Sequence, residues 1–200
     1  HSKIIKKISS AKIVANNLYL DCNSIIYDVV HTSDLSKIDT DNTNLIIANV
    51  CGKIDEYVSK IKPTDTVYIA FDGVAPVAKL DQQRQRRYKS LYQNDISRSI
   101  YKSTKPDVWN TTAITPGTKF MKQLNDTINK KYDNIVKHVE FNVKNIIVSG
   151  SDYPGEGEHK LFQYIRETPE KHKDENTIIY GLDADLIMLS VNHLPIAKNI

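Results

Sequence analysis

The 200 residues, 40% of them hydrophobic, suffice for one globular domain with a buried core. Net charge is +3, and Cys22 and Cys51 are too few and too far apart for a disulfide framework or a zinc motif. No apolar run approaches the ~20 residues of a membrane span. The opening HSKIIKKISSAKIV is too interrupted by Lys and Ser for a secretory signal. We therefore expect an intracellular protein without a membrane partner. The chain starts at His1 and stops at Ile200 soon after an apolar run, so residues 1–200 are expected to be a single, truncated domain.

In chain order, short β-rich runs alternate with longer helical patterns, the signature of an α/β fold with a mostly parallel sheet. The first strand, Leu18-Tyr19-Leu20, ends at Asp21. A helical pattern through Ile46, Val50, Ile54, Val58 and Ile61 stops at Pro63. The second strand, Val67 to Phe71, runs into Asp72-Gly73, and a basic helix is expected from Ala75 onward. A polar linker around Lys105-Pro106-Asp107 should loop out. Thr115-Pro116 reads as the N-cap and first residue of another helix, with Phe120, Leu124, Ile128 and Ile135 on its apolar face. The third strand, Ile146-Ile147-Val148, runs into Ser149-Gly150-Ser151-Asp152. The fourth, Ile178-Ile179-Tyr180, runs into Gly181-Leu182-Asp183.

The carboxylates fall at informative places. Asp21, Asp72 and Asp183 each follow a strand, Asp185 comes two residues later, and Glu156 and Glu158 lie past the third strand at a helix entry. In an open parallel sheet, ligands bind outside the carboxyl ends of the strands. One acid at a strand end is usually a turn or cap residue. Six at one edge repel each other unless cations sit among them. Hard oxygen donors in that number suit Mg²⁺, with Mn²⁺ as a substitute, rather than zinc. Two such ions about 3.5–4 Å apart can clamp a phosphodiester for hydrolysis. In Pro154-Gly155-Glu156-Gly157-Glu158-His159 the glycines allow close backbone approach, and the helix that follows would aim its N-terminus at the site. His159 beside such a cluster is more often a neighbour of the ligands than a ligand.

Charge is uneven along the chain. Between Lys79 and Lys105, eight basic residues face only Asp81 and Asp95, which points to a phosphate-bearing partner, although a solvated helix face would look similar. In a helix from Ala75, Lys79, Gln83, Arg86 and Arg87 share one face. Lys as a point charge and Arg as a planar fork suit a terminal phosphate with several free oxygens.

These residues also carry a resemblance. Asp72-Gly-Val-Ala-Pro-Val-Ala-Lys79 with Gln83-Arg84-Gln85-Arg86-Arg87 resembles the signature of the Xrn-type 5′→3′ exoribonucleases. So do Asn17-Leu-Tyr-Leu-Asp-Cys-Asn-Ser-Ile-Ile26, Ile114-Thr-Pro-Gly-Thr-Lys-Phe-Met121, Pro154-Gly-Glu-Gly-Glu-His-Lys160 and Gly181-Leu-Asp-Ala-Asp-Leu-Ile-Met-Leu189. The resemblance spans residues 17 to 189 and implies a PIN/flap-nuclease-like fold and an N-terminal nuclease catalytic domain. It implies processive, Mg²⁺-dependent action on single-stranded RNA bearing a 5′-monophosphate. It assigns Asp21, Asp72, Glu156, Glu158, Asp183 and Asp185 to the metals, and Lys79, Gln83, Arg86 and Arg87 to the 5′-phosphate. Asn23 and Tyr27 would lie beside the 5′ nucleotide. Tyr27 stands where the family has a His that stacks on the first base. The family's Gly-Pro-containing opening helix is absent or cut short, and a downstream Asp and aromatic would lie beyond Ile200.

Three rivals remain. A flap endonuclease would lack the Gly-Glu-Gly-Glu-His block. A DxD phosphatase would carry its acid pair on the first strand. A catalytically inactive RNA-binding fragment or scaffold would be expected to have lost some of these acids.

Overall fold

The computed structural model describes residues 14–32, 42–101 and 109–200. Its elements are β1 (Asn17–Asp21), α1 (Asn23–Thr32), α2 (Thr43–Ile61), β2 (Thr66–Ala70), α3 (Val77–Tyr101), a 3₁₀ turn (Thr111–Ala113), α4 (Lys119–Tyr132) and α5 (Ile135–Phe141). They continue with β3 (Asn145–Ser149), α6 (Gly157–Glu167), α7 (Pro169–His172), β4 (Thr177–Tyr180) and α8 (Asp185–His193). The expected linker around Lys105-Pro106-Asp107 and the opening residues 1–13 lie outside the described residues.

Among the described residues, four strands form one wholly parallel sheet in the order β3-β2-β1-β4, in line with the expected α/β architecture. The chain moves outward from β1 to β2 and β3, then crosses back to lay β4 on the other side of β1. That reversal opens a crevice at the carboxyl ends of β1 and β4, where such sheets bind ligands.

Strand alternation divides the core. Leu18 and Leu20 of β1, with Val67 and Ile69 of β2, face α1, α2 and α4, whose Ile25, Ile46, Val50, Ile54, Leu124 and Ile128 are fully buried. Tyr19, Tyr68 and Ala70 face the other way, onto Leu161, Phe162 and Ile165 of α6. Burying each such aliphatic or aromatic side chain contributes about 1.5–3 kcal/mol. The sheet is thus covered on both faces, and the middle positions of its strands are apolar on both sides rather than alternating with polar residues. The pattern every fourth residue through α2 ends as anticipated. Lys62 turns left-handed (φ 53°) and returns its N–H to Val58 O at 2.8 Å, and Pro63 prevents continuation.

Three sequence expectations are corrected by the structure. Thr115 does not cap α4. Its hydroxyl donates to Thr112 O, Gly117 takes φ +87°, which a helix cannot contain, and the cap falls on Thr118, whose Oγ1 accepts from Met121 N. Ile135 does not extend that helix's apolar face either. The chain breaks at Asp133-Asn134, Asn134 caps α5, and Ile135 is 78% exposed. Helix α3 begins at Val77 rather than Ala75, and most of its described side chains are exposed. Among the described residues, no helix is long and apolar enough to cross a membrane.

Candidate functional site

Each of the six acids sits where a strand leaves the sheet or a helix begins. Asp21 closes β1, Asp72 follows β2 by two residues, Glu156 is the N-cap of α6 and Glu158 lies in its first turn. Asp183 lies between β4 and α8, and Asp185 opens α8 with its N–H on Asp183 Oδ1 at 3.1 Å.

Asp72 is the best-anchored member. Its Oδ1 accepts from Gly157 N at 2.6 Å, so the N-terminus of α6 holds this carboxylate. Its Oδ2 accepts from Asn23 Nδ2 at 2.6 Å, and Asn23 Oδ1 accepts from Asp72 N at 3.0 Å. Asn23 therefore engages Asp72 through both ends of its amide. Asp21 is the opposite case: its Oδ1 is buried and finds no hydrogen-bond partner among the described residues. Gly157 explains how backbone comes so close to both acids. A Cβ there would lie 2.7 Å from Asp21 Oδ1 and 3.4 Å from Asp72 Oδ1.

Electrostatics tie the set together. Burial, followed by the charge of Asp72, pushes the Asp21 carboxyl up to about 7, with Glu158 and Asp183 adding to the rise and a hydrogen bond from the Asn23 backbone opposing it. Burial likewise raises Asp72, with Glu156 contributing, against the Gly157 hydrogen bond and the charges of Lys160 and Lys79. Glu158 is raised by burial and by Asp183, Glu156 and Asp185, while His159 opposes. Asp21, Asp72 and Glu158 thus each sense neighbouring acids of the set.

A cleft of about 740 Å³ opens at this edge, and Asp21, Asp72 and Asp183 line it. Glu156, Glu158 and His159 can each bring a donor atom within 4.8 Å of the others. On the basic helix, Gln83 and Arg86 line the cleft. Lys79 instead places its ammonium 2.7 Å from Glu156 Oε2, and the side chain of Arg87 lies outside the described residues. Asn23 and Tyr27 both line the cleft, Tyr27 with 41% of its surface exposed.

Several lining residues were not anticipated. Ser24, Asp28 and His31 continue the wall that Asn23 and Tyr27 begin on α1, and the spacing of 23, 27 and 31 by four was a readable signal. Ile114, Pro116 and Leu182 reach the cleft from loops, which no local pattern reveals. Lys160, the last residue of the Pro154–Lys160 motif, is 6% exposed, and its Nζ donates to Phe71 O at 2.7 Å and Gly150 O at 2.8 Å. Burial draws its ammonium down to about 8, against the pull of Asp72 and Asp152.

Residues 1–197 match the protein family described as XRN 5′-3′ exonuclease N-terminus. The chain is 39% identical over 190 residues to 5′-3′ exoribonuclease 1 of Saccharomyces cerevisiae, covering 88% of this chain and 12% of that protein. It is 37% identical over 186 residues to 5′-3′ exoribonuclease 1 of Homo sapiens, covering 88% and 11%. Against 5′-3′ exoribonuclease 2 of Schizosaccharomyces pombe it is 35% identical over 201 residues, covering 88% and 20%. The chain therefore spans a fifth or less of the length of these relatives.

Proposed function

This chain belongs to the XRN 5′-3′ exonuclease N-terminus family, and on that premise we propose that it forms the carboxylate-bearing part of a Mg²⁺-dependent exoribonuclease degrading single-stranded RNA from a 5′-monophosphate end. The observation that carries this reading is the convergence of the six acids. Burial and neighbouring acids raise the proton affinity of Asp21, Asp72 and Glu158, and Asp21 Oδ1 is left with no donor among the described residues. Protein donors are short where negative charge is most crowded, and an all-oxygen set fits Mg²⁺ or Mn²⁺. In this reading Asp21, Asp72, Glu156, Glu158, Asp183 and Asp185 hold two ions. When bound, such a pair activates a water and stabilises the leaving oxygen of a phosphodiester.

The chain's own residues do the rest. Gln83 and Arg86 offer neutral and charged N–H donors from one wall of the cleft, suited to a phosphate with free oxygens. Lys79 is held over Glu156, so it bridges the phosphate side and the metal side. Tyr27 presents a ring to the first nucleotide, and the phenol in place of an imidazole retains the stacking surface while removing a titratable nitrogen. Asn23 lies beside the 5′ nucleotide and steadies Asp72. Placing the 5′ end between Arg86 and the acids would set the first phosphodiester over the carboxylates, so that cleavage proceeds one nucleotide at a time.

The test is decay of 3′-labelled RNA by the intact protein with Mg²⁺, comparing 5′-monophosphate with 5′-triphosphate ends. Selective loss of the monophosphate RNA supports the reading, and Arg86→Ala should narrow that selectivity more than it weakens overall RNA binding. Binding of both RNAs with neither degraded would replace it with the scaffold reading.

A further inference from the structure

Lys160 is a cation without an ion-pair partner within 4 Å among the described residues, set in the crowded end of an acidic site. It is on the first full turn of α6, two residues past Glu158, and almost no solvent reaches it. Side chains of this kind normally carry their charge to water or to a carboxylate. This one instead spends two of its three N–H donors on main-chain carbonyls, Phe71 O and Gly150 O.

Those two carbonyls are not arbitrary. Phe71 is the residue immediately before Asp72, at the point where β2 leaves the sheet. Gly150 is the first residue past β3, which leads into the turn carrying Glu156. Phe71 N is already bound to Ser149 O at 2.9 Å, so the two strand ends are linked to each other, and Lys160 links both to α6. Around it, Gly73 N donates to Gly155 O at 2.8 Å and Gly155 N to Val74 O at 3.0 Å, which sews the Asp72 loop to the Glu156 turn. The groups facing Lys160 electrostatically are Asp72 and Asp152.

We propose that Lys160 is a positioning residue: its ammonium, bonded to Phe71 O and Gly150 O, makes the Asp72 loop and the Glu156–Glu158 turn one rigid unit, so that acids from separate strand ends stand at a fixed spacing for divalent-cation binding. The proposal rests on the reading of these acids as metal-binding. Removing the ammonium leaves Phe71 O without its donor in a buried place, and the two acid-bearing segments then shift independently. A displacement of about 1 Å at a catalytic constellation costs roughly a hundredfold in rate. In that reading RNA is gripped chiefly from α1 and α3, so its affinity should not follow.

The experiment compares Lys160→Met with Lys171→Met in the intact protein. Lys171 is likewise largely buried and braces Asp65 at the opposite end of the sheet, so it controls for loss of a structural lysine. Two quantities are read: the Mg²⁺-induced rise in melting temperature without RNA, and kcat and KM on 5′-monophosphate RNA. Lys160→Met should raise the half-saturating Mg²⁺ at least tenfold and lower kcat about a hundredfold, with KM within threefold. Lys171→Met should lower the melting temperature without moving the Mg²⁺ midpoint. If Lys160→Met does not fold, Lys160→Gln takes its place. Its amide can still reach one carbonyl, and its Mg²⁺ midpoint should lie between wild type and a tenfold loss. An unchanged Mg²⁺ midpoint in whichever variant folds, or an equal change in Lys171→Met, overturns the proposal. A wild-type protein that neither binds Mg²⁺ nor degrades RNA would instead overturn the functional reading on which it stands.

Discussion

Buried carboxylates occur at both ends of this sheet, and the two ends treat them in opposite ways. At the amino ends of the strands, burial alone would raise the Asp65 carboxyl, but hydrogen bonds from Lys171, Lys144 and Thr66 outweigh it and carry it down to about 2. At the carboxyl ends, burial and neighbouring acids carry Asp21 up to about 7, and one of its oxygens has no donor among the described residues. The same residue type is a closed ion-pair node in one place and a set of unspent lone pairs in the other. A carboxylate whose charge is matched inside the chain has nothing left to bind with. One whose charge is unmatched costs stability unless something outside the chain completes it.

The comparison can be broken from either side. The largest effect is expected at the carboxyl end: Asp183→Asn should lower RNA turnover by at least about a thousandfold, since removing a ligand charge withdraws several kcal/mol from the transition state. Its melting temperature without Mg²⁺ should hold or rise, because repulsion is relieved, and near-normal turnover would remove this acid from the site. Gly157→Ala comes next. The added methyl meets Asp21 Oδ1 at 2.7 Å, so a loss of roughly ten- to a hundredfold in kcat is expected with little change in denaturant midpoint. At the other end, Asp65→Asn should cost about 1.5–3 kcal/mol in urea unfolding while turnover per folded molecule stays within twofold. A large loss of activity there would mean the two ends are not separate.

The subtlest test is pH dependence without Mg²⁺. Asp21 binds its proton more tightly folded, near 7, than unfolded, near 3.8, so its contribution to stability is full below about 3.8 and is lost as pH rises through 7. Asp65 is held near 2, so its contribution is full above about 3.8 and is lost as pH falls toward 2. Melting temperature should therefore peak near the unfolded carboxylate range. Asp21→Asn should flatten only the alkaline limb, and Asp65→Asn only the acid one.

Much of this was legible beforehand because two kinds of signal coincided. The apolar runs that make β1, β2 and β4 stop close to Asp21, Asp72 and Asp183, so strand ends and acids were visible together. The start of α4 was not, because Thr111, Thr112, Thr115 and Thr118 are all competent caps and only the left-handed turn at Gly117 decides among them. Ile135 continues the apolar spacing of α4 into a segment where the backbone has already broken. Lys160 was hidden for a different reason. A lysine in an amphipathic helix is expected to reach solvent, and its burial depends on where two carbonyls from β2 and β3 end up. The same holds for Ile114, Pro116 and Leu182, which are neighbours of the cleft only in three dimensions.

The position of β4 also bears on how the site opens and closes. Among the described residues this four-residue strand pairs only with β1, and Ile178, Ile179 and Tyr180 are half-buried where β2 is buried throughout. Asp183 and Asp185 hang from this outermost strand, whereas Asp21 and Asp72 hang from the two central ones. A local opening that frees β4 and α8 would part the acidic set while leaving the α1–α2–α4 side of the core closed, at a free energy below that of global unfolding. Amide hydrogens of β4 and α8 should accordingly exchange ahead of those in β1 and β2, so that the cleft comes apart and re-forms as a unit smaller than the domain.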